Sequence, residues 1–208
     1  MLDLVFKTIA AYLIGSLVGS LIIGKLRGGV DIRKLGSGNA GGTNALRTQG
    51  VWFALGVMVI DVGKGWFAAD ILPSLPFAVE PSKSEWLPIA CAAAVVFGHI
   101  YPVFFDFRGG KGAATLIGVV LGLNTMAAIP TMIIWFAVLL FTGYVGLATI
   151  IATTSFPVYV LLVENSNPQF IFGIAMTLLV IFTHRGNIAR MRAGTENRSQ
   201  RLWLMRPR

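Results

Sequence analysis

The sequence predicts an all-α polytopic membrane protein with seven transmembrane helices, one of them short, and glycine-rich cytoplasmic loops. Three observations predict it. Hydrophobic residues make up 55% of the 208, charged residues only 12%, and the mean hydropathy is +0.75, which excludes an ordinary soluble domain. Apolar runs recur at about 20 residues, the length a helix needs to cross a hydrocarbon core of about 30 Å. Basic residues gather in alternate loops. The chain reads as one integral-membrane domain, 1–208, with a basic tail at 197–208.

Residues 4–26 form the first expected span. Lys7 followed by an apolar run loosely resembles a signal peptide, but no small-x-small cleavage site stands out, so the segment reads as a retained helix. Gly15-x-x-x-Gly19 and Ser16-x-x-x-Ser20 within it let another helix approach closely. Residues 27–50 then break the pattern. Gly36-x-Gly38-x-x-Gly41 matches the dinucleotide fingerprint formally, yet a membrane helix precedes it where a strand is required. What remains is a glycine-rich loop whose Ser37, Asn39, Thr43 and Asn44, closed by Arg47, fit an ordered binding loop better than a flexible linker.

The second span, 51–72, carries Asp61 and Lys64 on one face near its middle. Charges at that depth pair with each other, fixing helix packing, or serve a site. A polar connection with Glu80, Lys83 and Glu85 leads to the third span, 86–105. It ends in Gly98-His99-Ile100-Tyr101-Pro102. The single cysteine, Cys91, lies in this apolar run and reads as a small buried hydrophobe.

Residues 105–115 follow: Phe105-Asp106-Phe107-Arg108-Gly109-Gly110-Lys111-Gly112-Ala113-Ala114-Thr115. The stretch lies between two apolar runs, hence at a membrane surface. Gly109, Gly110 and Gly112 can offer backbone N–H groups to an anion. The helix after them points its positive end at the same spot. Arg108 and Lys111 add full charges, and phosphate is the ligand such a site suits. The P-loop pattern fails at Phe105 and Gly112, so no ATP reading follows.

Residues 112–141 are apolar throughout, too long for one straight span and too short for two full ones. Residues 112–123 make only about 18 Å of helix, with Asn124 and Pro130 as candidate breaks. Two more spans follow, 147–163 and 168–183, joined by Glu164-Asn165-Ser166-Asn167. Loop 27–50 holds four basic residues, Arg108 and Lys111 make two, and the tail from Arg185 to Arg208 holds seven. The opposite loops hold Lys83 beside Glu80, Glu85 and Glu164. The positive-inside rule puts the basic loops in the cytoplasm. An even number of crossings between Lys111 and Arg185 then requires seven spans, with the N-terminus outside and the C-terminus inside. The net charge of +8 is thus a topology signal, and no nucleic-acid partner is needed. His184 emerges where the last span meets the cytoplasm. The tail with Arg198, Arg201, Arg206 and Arg208 is expected to face lipid headgroups.

Three motifs recur together in one family. They are Ser37-Gly38-Asn39-x-Gly41-x-Thr43-Asn44-x-x-Arg47; Gly98-His99-x-x-Pro102 with Phe107-x-Gly109-Gly110-Lys111-Gly112-x-Ala114-Thr115; and His184-x-x-Asn187-Ile188-x-Arg190-x-x-x-Gly194-x-Glu196. Over nearly its whole length the chain resembles the bacterial membrane-integral acyl-phosphate:glycerol-3-phosphate acyltransferases. Arg108 stands where a lysine is common, and Gly146-Leu147-Ala148-Thr149 where serine is more frequent.

The resemblance implies an enzyme of phospholipid biosynthesis in the bacterial cytoplasmic (inner) membrane, with its active site on the cytoplasmic side. It would transfer an acyl group from long-chain acyl phosphate to the 1-hydroxyl of glycerol 3-phosphate, giving lysophosphatidic acid. No cofactor and no metal are implied. Lys111, His184, Arg47, Asn187 and Ser37 are the expected catalytic residues. Gly38, Asn39, Gly41, Thr43, Asn44, Arg108, Gly109, Gly110, Gly112 and Thr115 are the expected substrate-binding ones. Two phosphates on two substrates require two anion sites, and an acyl chain gains about 0.8 kcal/mol per buried CH₂ from the membrane. A transporter or channel for phosphate or phosphorylated solutes is the competing class. It would suit Asp61, Lys64 and the short helix before Asn124, but the chain shows no internal repeat and its polar motifs gather on one side.

Overall fold

The computed structural model describes residues 2–76, 84–199 and 202–204, and all regular structure among them is helical. The chain divides into two compact units, Met1–Leu123 and Asn124–Arg208. Glu80 and Lys83, used above to orient the chain, and the tail residues Arg201, Arg206 and Arg208 lie outside the described residues.

The first unit begins with α1 (Leu2–Gly15) and α2 (Gly19–Leu26). The sequence predicts one continuous span here; the structure has two helices bent by 50°. The small residues do bring helices together. A Cβ on Gly15 would collide with the Val95 carbonyl, and one on Gly98 with the Tyr12 carbonyl. Backbone thus crosses backbone between α1 and α6 (Trp86–Ile100). After the first loop, α3 (Gly42–Gln49) leads through Gly50 into α4 (Val51–Trp66). A π-helical turn, Phe67–Ile71, and α5 (Leu72–Ser74) complete that span. From α6 the chain passes a 3₁₀ turn, Val103–Phe105, and the second loop, to α7 (Ala113–Leu123). At eleven residues α7 is about 17 Å long, too short to cross alone.

The second unit starts at Asn124, whose side-chain oxygen accepts from Ala127 N–H at 3.0 Å and caps α8 (Thr125–Thr142). The break therefore falls at Asn124, and Pro130 is accommodated inside α8. Next come α9 (Val145–Tyr159), with a π-helical end at Val160–Glu164, and α10 (Asn167–Thr183), started by Pro168 in its first turn. A bend of 55° separates α10 from α11 (Arg185–Arg192). Of the tail arginines expected to face lipid headgroups, Arg198 lies among the described residues. Its guanidinium stacks on Tyr144 and Trp203, at 4.6 and 4.2 Å from the ring centres. The tail backbone is tied back by Ser199 N–H to the Gly143 carbonyl at 2.8 Å.

Four stretches are long and apolar enough to cross a membrane: Val51–Ser74, Trp86–Phe105, Thr125–Thr142 and Val145–Glu164. Counting each bent pair as one span gives six, and the expected seventh would be the short α7. Exposed side chains such as Val59, Ile133 and Leu162 lie along these helices, as a lipid-facing surface requires. The chain is a multi-pass membrane protein.

Candidate active site

The first loop is built around Asn44. Its side-chain nitrogen donates to the carbonyls of Ile32, Leu35 and Asn39 at 3.0 Å each, and its oxygen accepts from Ser37 N–H at 3.0 Å. Asn44 is buried, so its amide holds the loop's own backbone. Ser20 fastens the far end by donating to the Ala40 carbonyl at 2.7 Å. Ser37, Gly38, Thr43 and Arg47 stay exposed, and Asn39 and Gly41 are partly so. Thr43 and Arg47 sit four residues apart on α3, on one helical face.

The second loop is fixed by the end of α6. Gly109 N–H donates to the Ile100 carbonyl and Gly110 N–H to the His99 carbonyl, both at 3.1 Å. Two of the three N–H groups that the sequence offers to an anion are therefore engaged inside the protein. The glycines serve close packing instead. A Cβ on Gly109 would collide with the His99 carbonyl, and one on Gly110 with the His99 ring. Gly112 lies at φ +88°, and its carbonyl accepts from Leu116 N–H at 2.8 Å, which starts α7. The first N–H groups of α7 lack partners within the helix. Lys111 is half-buried and Arg108 exposed. Thr115 is fully buried, with its carbonyl close against Gly65 of α4, and does not reach the loop surface.

Arg33 joins the two loops. One of its guanidinium nitrogens donates to the carbonyls of Phe105 and Arg108, both at 2.9 Å, while the others pair with Asp31 at 2.9–3.2 Å. Asp31 also accepts from Arg33 N–H at 3.0 Å, capping the turn Ile32–Lys34. The hydrogen-bonded guanidinium holds the Asp31 carboxyl below its ordinary range, and the carboxylate in turn raises Arg33. This latch restrains a loop in which Asp106 and Phe107 both adopt left-handed backbone, at φ 57° and 55°. Sequence reasoning missed Arg33. The spacing Asp31-x-Arg33 hinted at a local pair, but no local pattern reveals carbonyls more than 70 residues away.

Asp61 and Lys64 do pair, at 2.9 Å, and both are buried. Lys64 also donates to the carbonyls of Gly15 and Leu17, at 2.9 Å each, and Asp61 accepts from Gly19 N–H at 3.1 Å. His99 completes the cluster, its Nδ1 standing 3.0 Å from Lys64 Nζ and 3.4 Å from Asp61 Oδ1.

In the second unit the α10–α11 bend presents His184 and Asn187. His184 is buried, and its Nδ1 lies 2.9 Å from the Val180 carbonyl. A carbonyl only accepts, so Nδ1 bears a proton. Glu196 accepts from Asn187 Nδ2 at 2.8 Å and from Arg190 Nε at 2.6 Å, fixing the Asn187 amide. Thr149 donates to the Val145 carbonyl at 2.9 Å and accepts from Trp135 at 3.3 Å, both within the helices of this unit. No group of three or more His, Cys, Asp or Glu suited to a metal occurs among the described residues.

A family model described as glycerol-3-phosphate acyltransferase matches residues 5–194. The chain belongs to this family. Members named glycerol-3-phosphate acyltransferase include one from Alkaliphilus metalliredigens, 40% identical over 190 residues covering 91% of this chain and 93% of the relative. Another, from Aquifex aeolicus, is 37% identical over 193 residues covering 93% and 97%. Among solved structures, the glycerol 3-phosphate form of PlsY (YgiH), an integral membrane glycerol 3-phosphate acyltransferase, superposes with a TM-score of 0.84. It is 36% identical, and 94% of each chain is covered. The lysophosphatidic acid form gives a TM-score of 0.82 at the same identity.

Membership in the glycerol-3-phosphate acyltransferase family leaves the transport reading without support. Within this family member, the expected residues fall in two groups. Ser37, Gly38, Asn39, Gly41, Thr43, Asn44, Arg47 and the Arg108–Gly112 loop lie in the first unit, and His184 and Asn187 lie in the second.

Proposed function

We propose that this chain transfers an acyl group from long-chain acyl phosphate to the 1-hydroxyl of glycerol 3-phosphate, producing lysophosphatidic acid and inorganic phosphate for phospholipid synthesis. The whole chain, 1–208, acts as one acyltransferase domain in the bacterial inner membrane. Its basic loops and C-terminus face the cytoplasm, where the positive-inside rule puts them. The observation that carries the reading is the Arg33 latch. It holds the loop with Lys111 to the loop with Arg47, so that one unit offers two cationic positions to two phosphorylated substrates.

The hydroxyl oxygen attacks the acyl carbonyl carbon, the bond from that carbon to the phosphate oxygen breaks, and the hydroxyl proton passes to the phosphate. Lys111 and the first N–H groups of α7 stabilise charge on the leaving phosphate. Arg47 grips glycerol 3-phosphate through two parallel hydrogen bonds. Ser37, Thr43 and Asn187 orient substrate oxygens, and Asn44 acts by holding the loop that bears Ser37. His184, protonated at Nδ1 and at Nε2, donates to a phosphate, whose negative charge favours the imidazolium. Gly109 and Gly110 shape the loop that presents Lys111.

The test is transfer by the purified protein in detergent, with long-chain acyl phosphate or an acyl thioester as donor and glycerol 3-phosphate as acceptor. Lysophosphatidic acid formed from acyl phosphate alone is the expected result. Equal or faster transfer from the thioester would overturn the donor assignment.

A further inference from the structure

The break between α1 and α2, Ser16–Val18, leaves peptide groups at two helix ends without partners inside either helix. One ion pair from α4 meets both broken ends. Lys64 donates to the Gly15 and Leu17 carbonyls at the C-terminal end of α1, and Asp61 accepts from Gly19 N–H at the start of α2. Each charge has the sign that the adjoining helix end favours.

The break is also where both loops are moored. Ser20 holds the Ala40 carbonyl, Val103 N–H donates to Ser16 Oγ at 3.3 Å, and Tyr12 donates to the Tyr101 carbonyl at 2.8 Å. His99 joins this platform to the anion loop. Its Nδ1 lies against Lys64 and Asp61, its carbonyl accepts from Gly110 N–H, and its Nε2 edge packs against the Gly110 backbone. Only Gly110 separates that ring from Lys111.

We infer that Asp61, Lys64 and His99 are positioning residues for the reaction: the ion pair locks the helix break and the His99 ring, and the ring sets the place of Gly110 and so of Lys111. The inference rests on the reading of Lys111 as the residue that stabilises the leaving phosphate. A displacement of about 1 Å at a reacting group costs on the order of 10²-fold in rate, so a loosened ring acts on turnover without touching substrate.

Amide hydrogen exchange and steady-state kinetics of the full chain in detergent test this. In His99→Leu, residues 101–112 should exchange faster than in wild type while α4 exchanges as before, and kcat should fall by roughly tenfold or more. KM for glycerol 3-phosphate should stay within about twofold of wild type, since Arg47 is untouched. His99→Asn, whose amide reaches the position of Nδ1 but lacks the Nε2 edge against Gly110, should keep the contact with the ion pair yet show the same faster exchange over 101–112. Unchanged exchange in the loop, or faster exchange spread evenly over the unit, would overturn the inference.

Should His99→Leu fail to fold, Gly110→Ala and the Gly110→Ala/His99→Asn pair decide. The added methyl meets the His99 ring, so removing that ring should restore part of the activity lost in Gly110→Ala. Strictly multiplicative losses would overturn the inference, because they show no coupling between the two positions. Lys111→Ala separates this from the reading beneath it: retained activity there defeats the role of Lys111, while loop exchange still judges the positioning cluster.

Discussion

The Arg33 guanidinium donates to the Phe105 carbonyl at 2.9 Å, across 72 residues of sequence. With its second bond to the Arg108 carbonyl, it makes the two glycine-rich loops of the first unit one assembly. Arg33→Lys keeps the charge but loses the planar fork that reaches two carbonyls and a carboxylate together. Acyl transfer should fall by roughly tenfold or more, the cost of misplaced substrate groups, with elution on size exclusion unchanged. Wild-type kinetics in Arg33→Lys would remove the latch from the account.

The latch carries a pH signature through Asp31. Its carboxyl is held below the ordinary value of 3.8 chiefly by the hydrogen bond from Arg33. A depressed carboxyl contributes stability that is fully present above its unfolded value and is lost as pH falls through the folded one. The raised Arg33 keeps its contribution at every pH below the ordinary guanidinium range, so acid acts through Asp31. Wild type should therefore melt higher than Asp31→Asn at pH 6, and the gap should close as the pH falls below about 3.8. A gap that persists at low pH would mean that Asp31 acts only through its shape.

Lys111→Ala should elute as wild type on size exclusion yet lose a factor of about 10²–10³ in transfer, as removal of a charge stabiliser does. Activity within a few-fold of wild type would end its assignment.

Arg47→Lys should raise KM for glycerol 3-phosphate much more than KM for acyl phosphate, because lysine cannot form two parallel bonds to one phosphate. Equal increases in both would mean that Arg47 serves both phosphates or the loop alone.

For His184, kcat against pH at saturating substrates compares wild type with His184→Asn. A phosphate donor, active in its protonated form, predicts no acidic limb that the variant removes. The Nδ1 proton is engaged at the Val180 carbonyl, and Glu196 accepts from Asn187 and Arg190. An acidic limb present in wild type and lost in the variant would identify His184 as the general base.

Hydropathy alone located the apolar segments, because a bilayer demands about 20 apolar residues whatever the packing. The short α7 was legible for a related local reason, too little length before Asn124; that the break falls there and not at Pro130 was decided by the Asn124 cap on α8. The three motifs were legible because glycine, hydroxyl, amide and basic residues are rare in apolar sequence. The break at Ser16–Val18 was invisible, since its small residues read equally as a helix-packing motif and its peptide groups are satisfied by Asp61 and Lys64 from another helix. The glycines at 109 and 110 pointed to open N–H groups until the backbone of α6 proved to be their acceptor. Asn44, Arg33 and His99 likewise owe their partners to the folded chain. Composition and period act along the sequence and can be read there, whereas a buried hydrogen bond depends on which distant carbonyl the fold brings within 3 Å.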